Sequence, residues 1–174
     1  LVQSNDTEVQ EVRVGVQSTE LIEVTTPVIS TEVKEFLARQ PLELKAGQRR
    51  ELTLAIADWV AEVNDALREA LWLTVDYGII ANEDWLHPAY KRGTIRCFYN
   101  HQVDHKPLER SGDKDITYHV PFPELIKEFK RHGWSELFLL RQDRFLLEAG
   151  ILHKLSDQNF KLSDPFSDQM TKRN

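Results

Sequence analysis

The chain has 174 residues, 41% hydrophobic and 29% charged, which suits one soluble globular domain with a core of useful size. A net charge of −6 without a basic run disfavours nucleic acid or an anionic membrane as partner, and no apolar run is long enough for membrane insertion. The single Cys97 rules out an internal disulfide and fits a reducing compartment, and no signal peptide pattern opens the chain.

Residues 8–26 alternate and are rich in Val, Thr and Ile, with Val12, Val14 and Val16 on one face. Side chains on a strand repeat every two residues, so the stretch predicts an antiparallel hairpin turning at Gln17-Ser18-Thr19-Glu20. Pro27 stops it. Ser30 reads as the N-cap of a helix with Val33, Phe36 and Leu37 on its apolar side, closed by Pro41. Residues 42–52 read as extended, with a turn at Gly47. The strongest helical pattern covers 53–69, where Leu52, Ile56, Trp59, Val60, Val63 and Leu67 recur at helical spacing.

The stretch LWLTVDYG, Leu71 to Gly78, organises the rest. Five apolar or β-branched residues bounded by a turn signal predict a strand, Leu71 to Val75, buried on both faces. In an open α/β sheet the C-terminal strand ends face the ligand crevice. Asp76, Tyr77 and Gly78 therefore stand as candidate site residues, against the plainer alternative of a solvated turn. From Gly78 to about Asp113 the chain reads as a long irregular stretch, with a short strand over 94–98. Its aromatic content argues for an ordered, functional loop.

Residues 123–132 read as a helix with Leu125, Ile126 and Phe129 inward. Gly133 stands at the left-handed C′ position and Trp134 can fold back on Phe129 in a Schellman motif. A strand over 136–140 and a helix over 142–149, closed by Gly150, follow. Ser163-Asp164-Pro165 starts a further helix that runs through Met170, the only methionine, to Asn174 without a C-cap. With Leu1 at the start, this suggests a piece of a longer protein; a frayed natural tail is the alternative. The order of elements points to an α/β sheet.

Phosphate and nucleotide loops need closely spaced glycines so that backbone can approach the ligand. The glycines here stand at 15, 47, 78, 93, 112, 133 and 150, so no Rossmann fingerprint or P-loop is present. Cys97, His101 and His105 sit four apart, with His119 beyond. Thiolate and imidazoles can hold zinc, but no helix enforces a common face, so no metal is expected. Gly-x-Ser-x-Gly is absent, which disfavours nucleophilic hydrolysis.

The strand end VDYG (75–78), GTIRCFYNHQ (93–102), Pro107-Leu108, GDKDITYHVPF (112–122), Gln142 and FLLEAGI (145–151) stand in an order that resembles the MidA-like family. QMTKRN (169–174) is similar to the start of that family's last helix. The family comprises class I SAM-dependent methyltransferases, among them the mitochondrial complex I assembly arginine methyltransferase. Before Leu52 only the pattern matches: a hairpin, then Gly47 and Glu51 ahead of a long helix. Ala70 and Pro121 depart from the family pattern in minor ways.

The resemblance implies an α/β fold, part of a Rossmann-like methyltransferase sheet with an N-terminal antiparallel β-hairpin insertion. Residues 1–52 would be the hairpin region and 53–174 the sheet and helices, in a single domain fragment from the C-terminal half of the catalytic domain. LWLTVDYG would be its fifth strand and residues 136–140 its sixth. S-adenosyl-L-methionine is the implied cofactor, its binding loop expected upstream of Leu1. The short chain alone is therefore expected to be inactive, poorly soluble and unable to bind SAM. Protein arginine methylation, linked to complex I assembly or a bacterial counterpart, is the implied activity. Asp76 and Tyr77 are the implied catalytic residues, and Gly78, Arg96, Asp115, Thr117 and His119 the implied substrate-binding ones. A protein substrate is the expected partner and a homodimer is allowed. The location would be cytoplasmic in a bacterium and the mitochondrial matrix in a eukaryote. A non-catalytic binding or assembly module on the same fold is the alternative.

Overall fold

The computed structural model describes residues 1–156 apart from Asp6 and Pro41, so the helix expected from Ser163 lies outside the described residues. The chain divides into two compact units, Leu1–Glu136 and Leu137–Asn174.

In the first unit the expected hairpin forms from β2 (Val9–Gln17) and β3 (Glu20–Pro27), in the register Val12↔Thr25, Val14↔Glu23 and Val16↔Leu21. Ser18 takes the left-handed conformation at its tip. Two further strands complete an antiparallel sheet in the order β3-β2-β1-β4: β1 (Val2–Ser4) and β4 (Arg49–Arg50). Neither is long enough to show alternation, so neither has a periodic signature. α1 (Thr31–Arg39) begins after Ser30, whose backbone is extended as at an N-cap, but its hydroxyl makes no cap bond. Instead it donates to Glu11 Oε1 at 2.5 Å and accepts from Arg13 Nη2 at 2.7 Å, while Glu11 Oε2 takes the amides of Ile29 and Ser30. The carboxylate draws the Ser30 hydroxyl away from the helix and holds the two amides just ahead of its first turn.

α2 (Ile56–Ala66) is shorter than the helix expected over 53–69. It packs on α3 (Phe122–Arg131) around Trp59, Trp72, Phe129 and Trp134, with ring centroids 5.3–6.2 Å apart. The α3 end is the expected Schellman motif: Gly133 N–H donates to Lys130 O and Trp134 N–H to Phe129 O, both at 3.1 Å.

Residues 71–75 do not form the expected buried strand. They pair with no other strand among the described residues, and Leu71, Leu73 and Val75 are 78%, 59% and 64% exposed. Only Trp72 reaches the aromatic cluster. Hydropathy marks a segment that needs cover; it does not supply the neighbouring strands.

The stretch from Gly78 onwards is more regular than expected. β5 (Gly78–Ile79) pairs in parallel with β9 (Val120–Pro121). Between them lie two 3-10 turns, Asn82–Leu86 and Pro88–Tyr90, and a three-stranded antiparallel sheet. Its strands are β6 (Arg96–Tyr99), β7 (Gln102–Asp104) and β8 (Asp115–Thr117), in the order β7-β6-β8. Asn100 and His101 both have positive φ, giving the two-residue turn whose twist suits a hairpin.

In the second unit α4 (Gln142–Glu148) forms as expected and α5 (Ile151–Ser156) follows. Phe138 stacks on Phe145 at 5.5 Å. Residues 136–140 form no strand, for the same lack of a pairing neighbour.

Candidate functional site

The site grows from the parallel joint between β5 and β9. Val120 N–H donates to Tyr77 O at 3.1 Å, bringing Tyr77 and Gly78 against the run Thr117–Pro121. Gly78 belongs to this joint for steric reasons: a Cβ there would lie 2.6 Å from the Phe122 ring and against Val120 O.

His119 is 7% exposed and its ring lies between Tyr77 and Tyr90, each centroid 5.4 Å away and each ring inclined to it. Its Nδ1 is buried without a hydrogen-bond partner. Burial lowers its proton affinity first and the nearby Arg96 charge lowers it further, while Glu51 and Asp76 oppose them. The net direction is below the ordinary histidine value, so the imidazole is neutral at pH 7. Asp76 is exposed beside this slot, its Oδ1 accepting the Tyr77 amide at 2.8 Å.

Of the residues expected from sequence, Asp76, Tyr77, Arg96 and His119 gather here. Thr117 stands opposite Arg96 in the β6–β8 ladder, with its hydroxyl buried and unpartnered. Asp115 lies two residues further along β8, opposite Phe98 and exposed, with no hydrogen bond or ion pair to the group among the described residues. A site built on Asp115 next to Asp76 is therefore not what the geometry brings together: β8 carries Asp115 towards the hairpin.

Sequence reasoning missed the polar frame behind the slot. Glu51 is buried, and its carboxylate accepts the Thr94 amide at 3.0 Å on both oxygens and the Thr94 hydroxyl at 3.0 Å. The same hydroxyl accepts the His119 amide at 3.1 Å. Gly93 precedes Thr94 with φ +81°, and a Cβ there would run into the Glu51 carboxyl group, 3.1 Å from its carbon; both facts demand glycine. One residue earlier Arg50 pairs with buried Glu124 and lies over the Trp85 ring, 4.5 Å from its centroid. Burial pushes the Glu124 carboxyl up and the Arg50 guanidinium down, each opposed by the other's charge. Gln48 donates to Trp85 O. The one available signal was the position of Glu51, between Gly47 and a helix.

Cys97 is buried in β6, opposite Asp104, and burial pushes its thiol up. His101 sits in the β6–β7 turn and His105 Nδ1 meets Ile95 O at 2.8 Å. Among the described residues no three His, Cys, Asp or Glu side chains are grouped to hold a metal.

A family model described as "Putative S-adenosyl-L-methionine-dependent methyltransferase" matches residues 1–138. The chain belongs to this methyltransferase family. Its mixed α/β fold also matches solved structures. One is a "likely methyl transferase from Burkholderia thailandensis bound to S-adenosyl-homocysteine", 26% identical with a TM-score of 0.79, covering 97% of this chain and 42% of that one. A second, described as uncharacterized and from the same organism, is 25% identical with a TM-score of 0.79, covering 97% of this chain and 43% of the other. The chain thus spans about two fifths of the length of these two proteins. No curated protein matches.

Proposed function

We propose that this chain is the C-terminal portion of a MidA-like methyltransferase and forms the acceptor side of its active site, taking the guanidinium of a protein arginine. The observation that carries the reading is the cluster of Tyr77, His119 and Tyr90, with the half-exposed Tyr77 ring and the Asp76 carboxylate on its solvent side. A planar cation is attracted to aromatic faces and pairs with a carboxylate through two N–H donors. The neutral His119 ring can accept a hydrogen bond from the guanidinium and receive the proton that leaves as the nitrogen is methylated. Arg96 works against a cationic guest, but it is exposed and screened.

The residues present do not fit a cofactor cradle. SAM requires close backbone approach at a glycine-bearing turn, by analogy with dinucleotide folds, and the nearest glycines, Gly78 and Gly93, are 15 positions apart. In this proposal the cradle lies in the part of the relatives' length that the chain does not span. A respiratory complex I subunit, or its bacterial counterpart, is the substrate to try first on the strength of the family resemblance.

The test is methyl transfer from labelled SAM to arginine peptides by the enzyme containing this chain. Asp76→Asn removes the charge and keeps the size, so activity should fall about ten- to hundredfold. Unchanged kinetics with normal folding would make Asp76 structural. Tight SAM binding with no transfer to any acceptor would favour the binding-module alternative.

A further inference from the structure

We infer that Glu51 is a positioning residue: its carboxylate fixes Thr94, and the Thr94 hydroxyl fixes His119 in the aromatic slot. The inference rests on the slot being the acceptor site.

The connection is continuous. Glu51, Thr94 and His119 are all buried. The carboxylate takes both hydrogens that Thr94 can donate, the amide and the hydroxyl. With its hydrogen committed to Glu51, the hydroxyl oxygen presents its lone pairs to the His119 amide. Donor and acceptor roles are thereby fixed along the whole path. Gly93 lets the backbone come close enough for this. The Thr94 hydroxyl is the acceptor for the His119 amide itself, the next peptide being held by Val120 N–H on Tyr77 O, and the His119 Nδ1 has no hydrogen-bond partner. The charged and titratable groups around the His119 ring are Arg96, Glu51, Asp76, Tyr77 and Tyr90.

Glu51→Gln keeps the shape but places an amide donor where an acceptor is needed, so the Thr94 hydroxyl must turn and loosen its hold on His119. Thr94→Val removes the hydroxyl and leaves the Glu51 charge; Thr94→Ser keeps the hydroxyl. In the 174-residue chain, amide exchange at His119 should speed up about tenfold in Thr94→Val and remain near wild type in Thr94→Ser. By NMR, Glu51→Gln should also move the His119 ring titration to lower pH, because a neighbouring negative charge has gone. In the enzyme containing this chain, Glu51→Gln and Thr94→Val should lower kcat up to about a hundredfold with less change in KM, and Thr94→Ser should restore it.

Unchanged His119 exchange and titration in Thr94→Val and Glu51→Gln would overturn the inference, as would a Thr94→Ser variant as impaired as Thr94→Val. If Glu51→Gln does not fold, the Val and Ser pair at position 94 still decides. Intact methylation in His119→Asn would instead sink the acceptor-site reading and leave the NMR result standing by itself.

Discussion

An apolar stretch of the chain, Leu71–Val75, is exposed, and three residues of a highly charged one, Gln48, Arg50 and Glu51, are buried. Leu71 is 78% exposed while Gln48, Arg50 and Glu51 are 3%, 5% and 8% exposed. Each buried polar group has a specific mate far along the chain: Trp85 O for Gln48, Glu124 for Arg50 and Thr94 for Glu51. The apolar segment pairs with no strand among the described residues. Burial follows from available partners, and hydropathy states only what a segment would gain if a partner came.

The comparison can be broken most forcefully at Arg50. Removing one member of a buried ion pair leaves the other uncompensated, so Arg50→Leu should cost ~3–5 kcal/mol in denaturant unfolding. The double variant Arg50→Met with Glu124→Leu should recover most of that loss. A single variant as stable as wild type would show that the buried pair contributes little. At the apolar side the expected effect depends on context. Leu73→Ala should change the stability of this chain by less than ~0.5 kcal/mol, because the side chain is exposed. In the longer enzyme proposed above, the same change should cost ~2–5 kcal/mol through lost burial. Equal effects in both would mean that the strand is never covered.

Gly93→Ala should also destabilise the chain. The left-handed backbone and the Glu51 carboxyl group both resist a Cβ, so the loss should exceed about 1 kcal/mol, read as a lower Tm together with faster exchange of the Thr94 amide. A pH dependence is expected at Glu11, which is buried like Glu51 and accepts hydrogen bonds on both carboxylate oxygens. The Ser30 hydroxyl chiefly, then the Ser30 and Ile29 amides and Arg13, hold its carboxyl at about 2 against an ordinary 4.5. A depressed carboxylate stabilises the fold above the unfolded value, so stability should fall as the pH drops from 4.5 towards about 2. Glu11→Gln should flatten that part of the curve in acid-unfolding measurements.

What the sequence determined by itself was local. The hairpin over residues 9–27, the start of α1 after Ser30, and the Gly133–Trp134 end of α3 were legible, because turns and helix ends are decided by residues a few positions apart. The family resemblance implied Asp76, Tyr77, Gly78, Arg96, Asp115, Thr117 and His119 as one set, of which Asp76, Tyr77, Arg96 and His119 lie together. Only the tertiary structure decided that Tyr90 joins them, that Asp115 stands away, and that Glu51 holds Thr94 from 43 residues earlier. It also decided that Leu71–Val75 stays uncovered. These depend on which distant segments meet. A side chain carries its own affinity for water or a partner, but no local pattern records where that partner stands.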